Sequence, residues 1–200
     1  MMPEAVVVLY GAALTAVVCL AAGESLLLRL GLWSQKLERL PLAFLVGTAC
    51  LSLAVLVLSV FGLARSSTFL LVAAAALAGR VWAGRRAGPK KVSRLPETGW
   101  GIPKVFAALA IAAAAVFAAL YLLYAMTPEW SEFASGPRLA RVAAYAAGRG
   151  PGANTAGWSP DPGGLEMVFL YAYVAGGPQS PAVAHLCYLL ALPLLMLSYA

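Results

Sequence analysis

The sequence has few charged residues for its length. Only 11% of its 200 residues are Asp, Glu, Lys or Arg, whereas about a quarter are charged in typical soluble domains. Its hydrophobic content of 62% is correspondingly high. Both features exclude a cytosolic or secreted globular enzyme and indicate an integral membrane protein.

Histidine and cysteine are also scarce. His185 is the single histidine, so neither a two-histidine metal site nor a zinc-protease motif can be assembled. Cys19, Cys50 and Cys187 each lie in an apolar run, and their odd number argues against a disulfide framework. We expect no metal and no other cofactor. The formal net charge of +6 indicates membrane topology rather than nucleic-acid binding.

Several apolar runs approach the ~20 residues that a transmembrane helix needs. They cover residues 6–22, 42–64, 68–83, 105–126 and 181–200. A further run, residues 165–175, would form only roughly 17 Å of helix, so it is expected to lie at the membrane interface or to cross obliquely. No basic residue precedes the first run, which predicts a retained helix rather than a signal peptide. The sequence thus predicts an all-α, polytopic transmembrane helix bundle with about five spans plus one short helix.

Three features of the first half carry more specific expectations. Residues 23–41 place leucines near helical spacing with basic residues between them, which predicts an interfacial helix on the inner leaflet. Arg80 lies near the end of an apolar run and is expected to snorkel to the interface. The many alanines of residues 105–126 predict a helix packed closely against its neighbours through small side chains.

Basic residues cluster around the segment 84–103 and orient the bundle. They are Arg80, Arg85, Arg86, Lys90, Lys91, Arg94 and Lys104. The positive-inside rule places this loop in the cytoplasm. The chain then divides into residues 1–126 with the first helices, an external loop of residues 127–164, and residues 165–200 with the short helix and a last span. Because that span reaches Ala200 without a flanking charge, the natural product is expected to continue.

The external loop holds the residues that could carry chemistry. Glu129 and Glu132 follow the fourth span directly; they are either solvated acids at the interface or a carboxylate general base at a membrane-surface site. Arg138 and Arg141 are one turn apart on one face of a short helix predicted over residues 137–147. Paired arginines near a bilayer suit a phosphate ligand, and they equally suit lipid headgroups.

Four different short motifs follow one another in the second half of the chain. They are Pro128-Glu129-Trp130-Ser131, Tyr145 with Gly148, Gly164-Leu165-Glu166-Met167-Val168-Phe169-Leu170, and Ala184-His185-Leu186. In this layout the chain resembles bacterial membrane glycosyltransferases of the GT-C superfamily, over roughly residues 120–200. The resemblance implies a multi-span enzyme of the bacterial inner (cytoplasmic) membrane. Such an enzyme transfers a sugar from a polyprenyl-phosphate carrier to an acceptor on the external face, and it needs no metal.

The resemblance also implies which acid is catalytic, although the chain departs from the family pattern. An acidic residue in the loop after an early span is expected to be the general base, which assigns Glu132 first and Glu129 second. The family pattern continues with an Asp and a Tyr-His pair, where this chain has Phe133 and Pro137-Arg138. Neither replacement accepts a proton as an aspartate does.

Four further residues receive roles from the resemblance. Arg138 or Arg141 would stabilise the lipid-phosphate leaving group. Glu166 matches a Glu-Met motif of the family, and is alternatively an acid favoured by a helix N-terminus. His185 matches a family position, and is alternatively a packed histidine of an apolar helix.

Three functions therefore compete. The first is the N-terminal part of a glycosyltransferase whose partners are a polyprenyl-phosphate-linked sugar, the lipid bilayer and an unknown acceptor. The second is a non-catalytic helical membrane subunit or scaffold, which the missing Asp and Tyr-His pair favours. A transporter is third, because no ionisable residue lies in the middle of the clear spans.

Overall fold

The computed structural model describes residues 4–31, 36–86, 104–126, 137–147 and 163–199. These residues form helices, with no strand among them. The helices are α1 (Glu4–Leu30), α2 (Lys36–Val60), α3 (Ser66–Arg86), α4 (Lys104–Met126), α5 (Pro137–Ala146), α6 (Gly164–Gly176) and α7 (Ser180–Tyr199). The predicted all-α class is confirmed for this part of the chain.

The lengths of the helices are those of a membrane protein. In the part of the chain that the structure describes, three helices are long and apolar enough to cross a membrane, namely Glu4–Leu30, Glu38–Val60 and Ser66–Arg86. Shorter apolar stretches lie at Ile111–Ala125, Gly164–Gly176 and Ser180–Met196. The chain is therefore a helical membrane protein, whereas the total of about five spans stays a prediction.

Residues 23–41 do not form a helix of their own. Residues 23–30 continue α1, and α2 begins at Lys36, so the predicted interfacial helix is divided between two long helices. The end of α1 is followed by Gly31, whose φ of 69° is a left-handed conformation that commonly terminates helices. The prediction of a separate helix is wrong because residues such as Leu27 are buried in the bundle.

The helices α1 and α2 run antiparallel and approach closely at two glycines. Gly23 of α1 lies against the backbone of Ala43, and Gly47 of α2 lies against the backbone of Cys19. A Cβ atom on either glycine would overlap a carbonyl oxygen of the facing helix. Small residues that let helix backbones approach are a common means of association in membranes. Close packing through small residues is therefore present between α1 and α2.

We expect Gly47→Ala to lower the free energy of unfolding by about 1 to 3 kcal/mol. The added methyl group would meet a backbone carbonyl, which moves only with the whole of α1. The measurement is reversible unfolding of the purified protein in mixed micelles with a rising fraction of SDS. Gly84→Ala is the control, because a Cβ at Gly84 meets nothing within 4 Å. Equal stability of the two variants would contradict the close crossing.

The alanine-rich helix α4 lies at the edge of the bundle. Its contacts are mainly with α7, and most of its described side chains are exposed. The large exposed ones are Leu109, Ile111, Val116, Phe117, Leu120, Leu123 and Tyr124. Close packing through small side chains is therefore confirmed at Ala125, which is buried in a cluster with Ala182 and Ala184, and most other described side chains of α4 do not follow the prediction. The helix contacts the bundle through a larger side chain, Tyr121, whose hydroxyl lies 3.0 Å from Nδ1 of His185.

The short helix α6 lies in the centre of the bundle. It contacts α1, α2, α3, α5 and α7, and its residues 166–172 are all buried. The phenol of Tyr171 donates a hydrogen bond to the carbonyl oxygen of Phe69 at 3.0 Å, and the two rings stack with centroids 4.9 Å apart. The predicted interfacial position is wrong, because a surface helix would leave one face to headgroups and water.

The direction of α6 is across the bundle rather than along it. At its start, the hydroxyl of Ser52 donates a hydrogen bond to the carbonyl oxygen of Gly164 at 2.7 Å, about two turns before the end of α2. At its end, Gly176 packs against Gly11, about two turns after the start of α1. Because α1 and α2 are antiparallel, both contacts lie at a similar depth below the same end of the bundle. A helix whose two ends lie at a similar depth does not run obliquely from one end of the bundle to the other, so the oblique alternative does not describe α6 either.

The two ends of the bundle carry different charge. The basic end comprises the last turns of α1 and α3 and the start of α2, with Arg29, Arg39, Arg80, Arg85 and Arg86. The other end, which we call the Arg65 end, contains the turn between α2 and α3. The basic end adjoins the segment that the sequence predicts to be cytoplasmic, so the same rule predicts that the Arg65 end is external.

Glu24 joins three helices at the basic end. Its carboxylate is 3.4 Å from Arg39 of α2, and it accepts a hydrogen bond from Nε of Arg80 of α3. The side chain of Glu24 is only 9% exposed, against 39% for Arg39 and 52% for Arg80. Arg80 reaches the protein surface, and its snorkelling to the membrane interface stays a prediction. It reaches that surface while paired with Glu24.

Candidate functional site

A pocket opens at the Arg65 end, between the α2–α3 turn and α5. Its volume is about 210 Å³. It is lined by Ser59, Gly62, Ala64, Arg65, Tyr145, Ala146 and Ala147. The lining thus combines an arginine with a serine, a tyrosine and small residues, and the hydroxyl of Ser59 donates a hydrogen bond to the carbonyl oxygen of Val55 at 2.8 Å. This composition suits a compact anion such as a phosphate group, because arginine binds phosphate oxygens through parallel hydrogen bonds.

The local sequence positions Arg65 through a tight helix-terminating turn. The backbone N–H of Gly62 donates to the carbonyl of Ser59 at 3.1 Å, and that of Leu63 donates to Leu58 at 2.8 Å. These two bonds form a Schellman motif, and Gly62 accepts its φ of 67° without strain. The backbone N–H of Phe69 then donates to the carbonyl of Arg65 at 3.0 Å, so Arg65 stands at the N-cap of α3.

The N-terminus of α3 adds further hydrogen-bond donors beside Arg65. Ser66 and Ser67 are exposed and Thr68 is partly exposed. The first N–H groups of a helix have no intrahelical partner, and the helix dipole makes this end favourable for negative charge. Arg65 is therefore followed directly by exposed serines and by the first N–H groups of α3.

A second, apolar groove lies deeper on the same side of α2. It has a volume of about 370 Å³ and runs between α2, α6 and α7. Its lining is Thr48, Ala49, Ser52, Leu53, Gly164, Leu165, Val168 and Tyr188. Ser52 in the groove and Ser59 in the pocket are about two turns apart and so share one face of α2. The pocket and the groove are therefore aligned along that face, with the apolar groove about 10 Å further into the bundle.

The predicted site residues fall into different parts of the structure. Glu129 and Glu132 lie outside the described residues. Arg138 and Arg141 lie in the first half of α5, the predicted short helix, which is confirmed as Pro137–Ala146. The last residues of α5 line the pocket, so the helix that carries the predicted phosphate ligands borders the Arg65 pocket.

Glu166 and His185 are enclosed by neighbouring helices. Glu166 is buried in the first turn of α6, a position that the helix dipole makes favourable for a carboxylate. Its backbone N–H donates to the carbonyl of Gly163 at 2.9 Å. Besides Tyr121, the ring of His185 contacts Phe169 and Tyr188, with centroids 6.0 and 6.3 Å away. His185 thus has ring contacts within the bundle, and Glu166 lies at a helix N-terminus with one buried carboxylate oxygen, Oε2, that has no hydrogen-bond partner among the described residues.

Arg65 is the site residue that sequence reasoning missed. It directly follows the apolar run of residues 42–64, and hydropathy alone marks it only as the boundary of that run. The signal that could have found it is the tetrapeptide Arg65-Ser66-Ser67-Thr68, in which a cation and three hydroxyl groups precede an apolar helix. Such a pattern indicates a helix N-terminus able to bind an anion.

No family model, curated protein or solved structure matches the chain. The fold alone defines the class of protein, which is a helical membrane protein. Its candidate site is the Arg65 pocket, with the apolar groove further into the bundle. Within the described ranges, no group of three or more His, Cys, Asp or Glu residues lies close enough to hold a metal ion.

Proposed function

We propose that the chain belongs to a membrane glycosyltransferase that takes a sugar from a polyprenyl-phosphate carrier. The observation that carries this proposal is the alignment of the Arg65 pocket with the apolar groove along one face of α2. A polyprenyl phosphate has an anionic head and a long apolar tail. Its phosphate would bind at Arg65 and its isoprenoid chain would follow the groove past Ser52.

The proposed chemistry uses the loop that follows α4. The acceptor hydroxyl oxygen attacks the anomeric carbon of the sugar while the bond from that carbon to the phosphate oxygen breaks. Glu132, or else Glu129, accepts the hydroxyl proton. Arg138, Arg141 and Arg65 stabilise the negative charge of the departing lipid phosphate, so this step requires no metal. We assign the reaction to the external face of the bacterial cytoplasmic membrane, opposite the basic end.

We expect Arg65→Gln to weaken binding of a polyprenyl phosphate by about 10- to 100-fold, the range of a lost hydrogen bond to a charged group. The measurement is titration of the purified full chain in neutral detergent, with the polyprenyl phosphate and the matching polyprenol compared. The polyprenol should bind weakly to both proteins because it lacks the anion.

Arg85→Gln is the control for this prediction. It removes the same charge from an exposed position at the basic end. Its affinity for the polyprenyl phosphate should equal that of the wild type. Equal binding of the phosphate and the polyprenol, or an Arg65→Gln variant with unchanged affinity, would contradict the assignment of the pocket.

A second candidate is a non-catalytic scaffold subunit. It is favoured by α4, whose large apolar side chains are exposed along the helix and would suit contact with helices of another subunit. The binding experiment separates the two candidates. A scaffold without a phosphate site should bind a polyprenyl phosphate and the matching polyprenol with similar affinity.

A further inference from the structure

Two arginines converge on one tryptophan at the basic end. The guanidinium carbon of Arg29, in the last turn of α1, lies 5.0 Å from the ring centroid of Trp82. That of Arg86, in the last turn of α3, lies 3.9 Å from the same ring. Both distances are within the range of a cation–π contact. The ring thereby holds two cations from different helices close together.

The charge of these two arginines is not neutralised by the neighbouring acid. The carboxylate of Glu24 forms its ion pairs with Arg39 and Arg80. Neither of these two ion pairs involves Arg29 or Arg86. A cation–π contact orients a guanidinium without cancelling its charge. Two like charges held at one ring repel each other, and an anion placed beside both would relieve that repulsion.

We propose that Arg29, Trp82 and Arg86 bind the phosphodiester headgroup of an anionic lipid in the leaflet at the basic end. All three side chains are exposed, with Trp82 at 45%. Tryptophan is typical of the headgroup level of a bilayer, and guanidinium groups bind phosphate oxygens through two parallel hydrogen bonds. Basic sites between helices at the cytoplasmic face are a known means of lipid recognition. This site is at the opposite end of the bundle from the Arg65 pocket.

The test is competition between two lipids for the purified full chain in neutral detergent. Dioleoyl phosphatidylglycerol and dioleoyl phosphatidylcholine are added in equal amounts, and native mass spectrometry measures how much of each is bound. We expect the wild type to prefer phosphatidylglycerol by about tenfold or more, and Arg29→Gln with Arg86→Gln to abolish this preference. A wild type that binds both lipids equally would overturn the proposal.

Two matched variants separate a built site from general surface charge. Arg85→Gln removes a charge from the same helical turn as Arg86, and Trp82→Leu removes no charge. If only general surface charge mattered, the preference for phosphatidylglycerol would fall about fivefold for every arginine removed and would not change in Trp82→Leu. The proposed site instead predicts a larger loss for Arg86→Gln than for Arg85→Gln, together with a measurable loss for Trp82→Leu. Equal losses at positions 85 and 86, with no effect of Trp82→Leu, would reject it.

Two further arms complete the test. Excess inorganic phosphate should leave the preference for phosphatidylglycerol intact; its loss would assign the site to free phosphate and overturn the lipid assignment. Helix content by circular dichroism and a single elution peak check that each variant is folded. If Arg86→Gln does not fold, Arg86→Lys replaces it, since lysine keeps the charge but lacks the planar guanidinium. A reduced preference is expected there too, and a preference equal to the wild type would count against the site.

Discussion

Replacing both Arg39 and Arg80 with glutamine is expected to lower the free energy of unfolding by about 3 to 5 kcal/mol. The reason is that the carboxyl group of Glu24, whose side chain is only 9% exposed, would lose both of its cationic partners. A buried charge without compensation is among the most destabilising changes in a protein. Unfolding in mixed micelles with SDS measures this loss, and the single variants should each lose less.

The triple variant that adds Glu24→Gln to this pair provides the control. It removes the buried charge itself, so we expect it to recover a large part of the lost stability. Glu24→Gln alone should be milder than the double arginine variant, because Arg39 and Arg80 are 39% and 52% exposed and can be hydrated. A triple variant no more stable than the double variant would show that the arginines act through packing rather than charge.

Replacing Glu132 with glutamine is expected to lower sugar transfer by about 10²- to 10⁴-fold, which is typical of a lost general base. The variant keeps the size and hydrogen-bonding capacity of the side chain but cannot accept the proton of the acceptor hydroxyl. The assay follows labelled sugar transferred from a polyprenyl phosphate in membranes, with the full-length protein at equal expression. Glu129→Gln is measured in parallel as the second candidate.

Glu4→Gln is the matched control for these two variants. Glu4 is an exposed acid in the first turn of α1, so its replacement should leave the transfer rate almost unchanged. Full activity in both the Glu129 and Glu132 variants would eliminate the assignment of the base. Absence of transfer in the wild-type full-length protein would instead favour the non-catalytic subunit.

The positions of the helices could be predicted from the sequence because their signals are local. The apolar run of residues 105–126 corresponds to Lys104–Met126, and the proline-led segment after residue 136 forms Pro137–Ala146. Hydropathy and helix-starting residues act within a few turns of chain, so reading along the sequence is sufficient for them. Within the candidate site, the same signals predicted the helix that carries Arg138 and Arg141. They did not predict that the turn containing Arg65 lies beside that helix.

The sequence by itself thus determined that this is a helical membrane protein, where most of its helices lie and which end is basic. Only the tertiary structure decided that α6 is buried, that Gly23 and Gly47 form the close crossing of α1 and α2, and that Glu24 pairs with Arg39 and Arg80. The physical reason is that lipid tails are as apolar as leucine. A side chain facing lipid and one facing another helix therefore have the same hydropathy, and the difference between them exists only once the helices have packed.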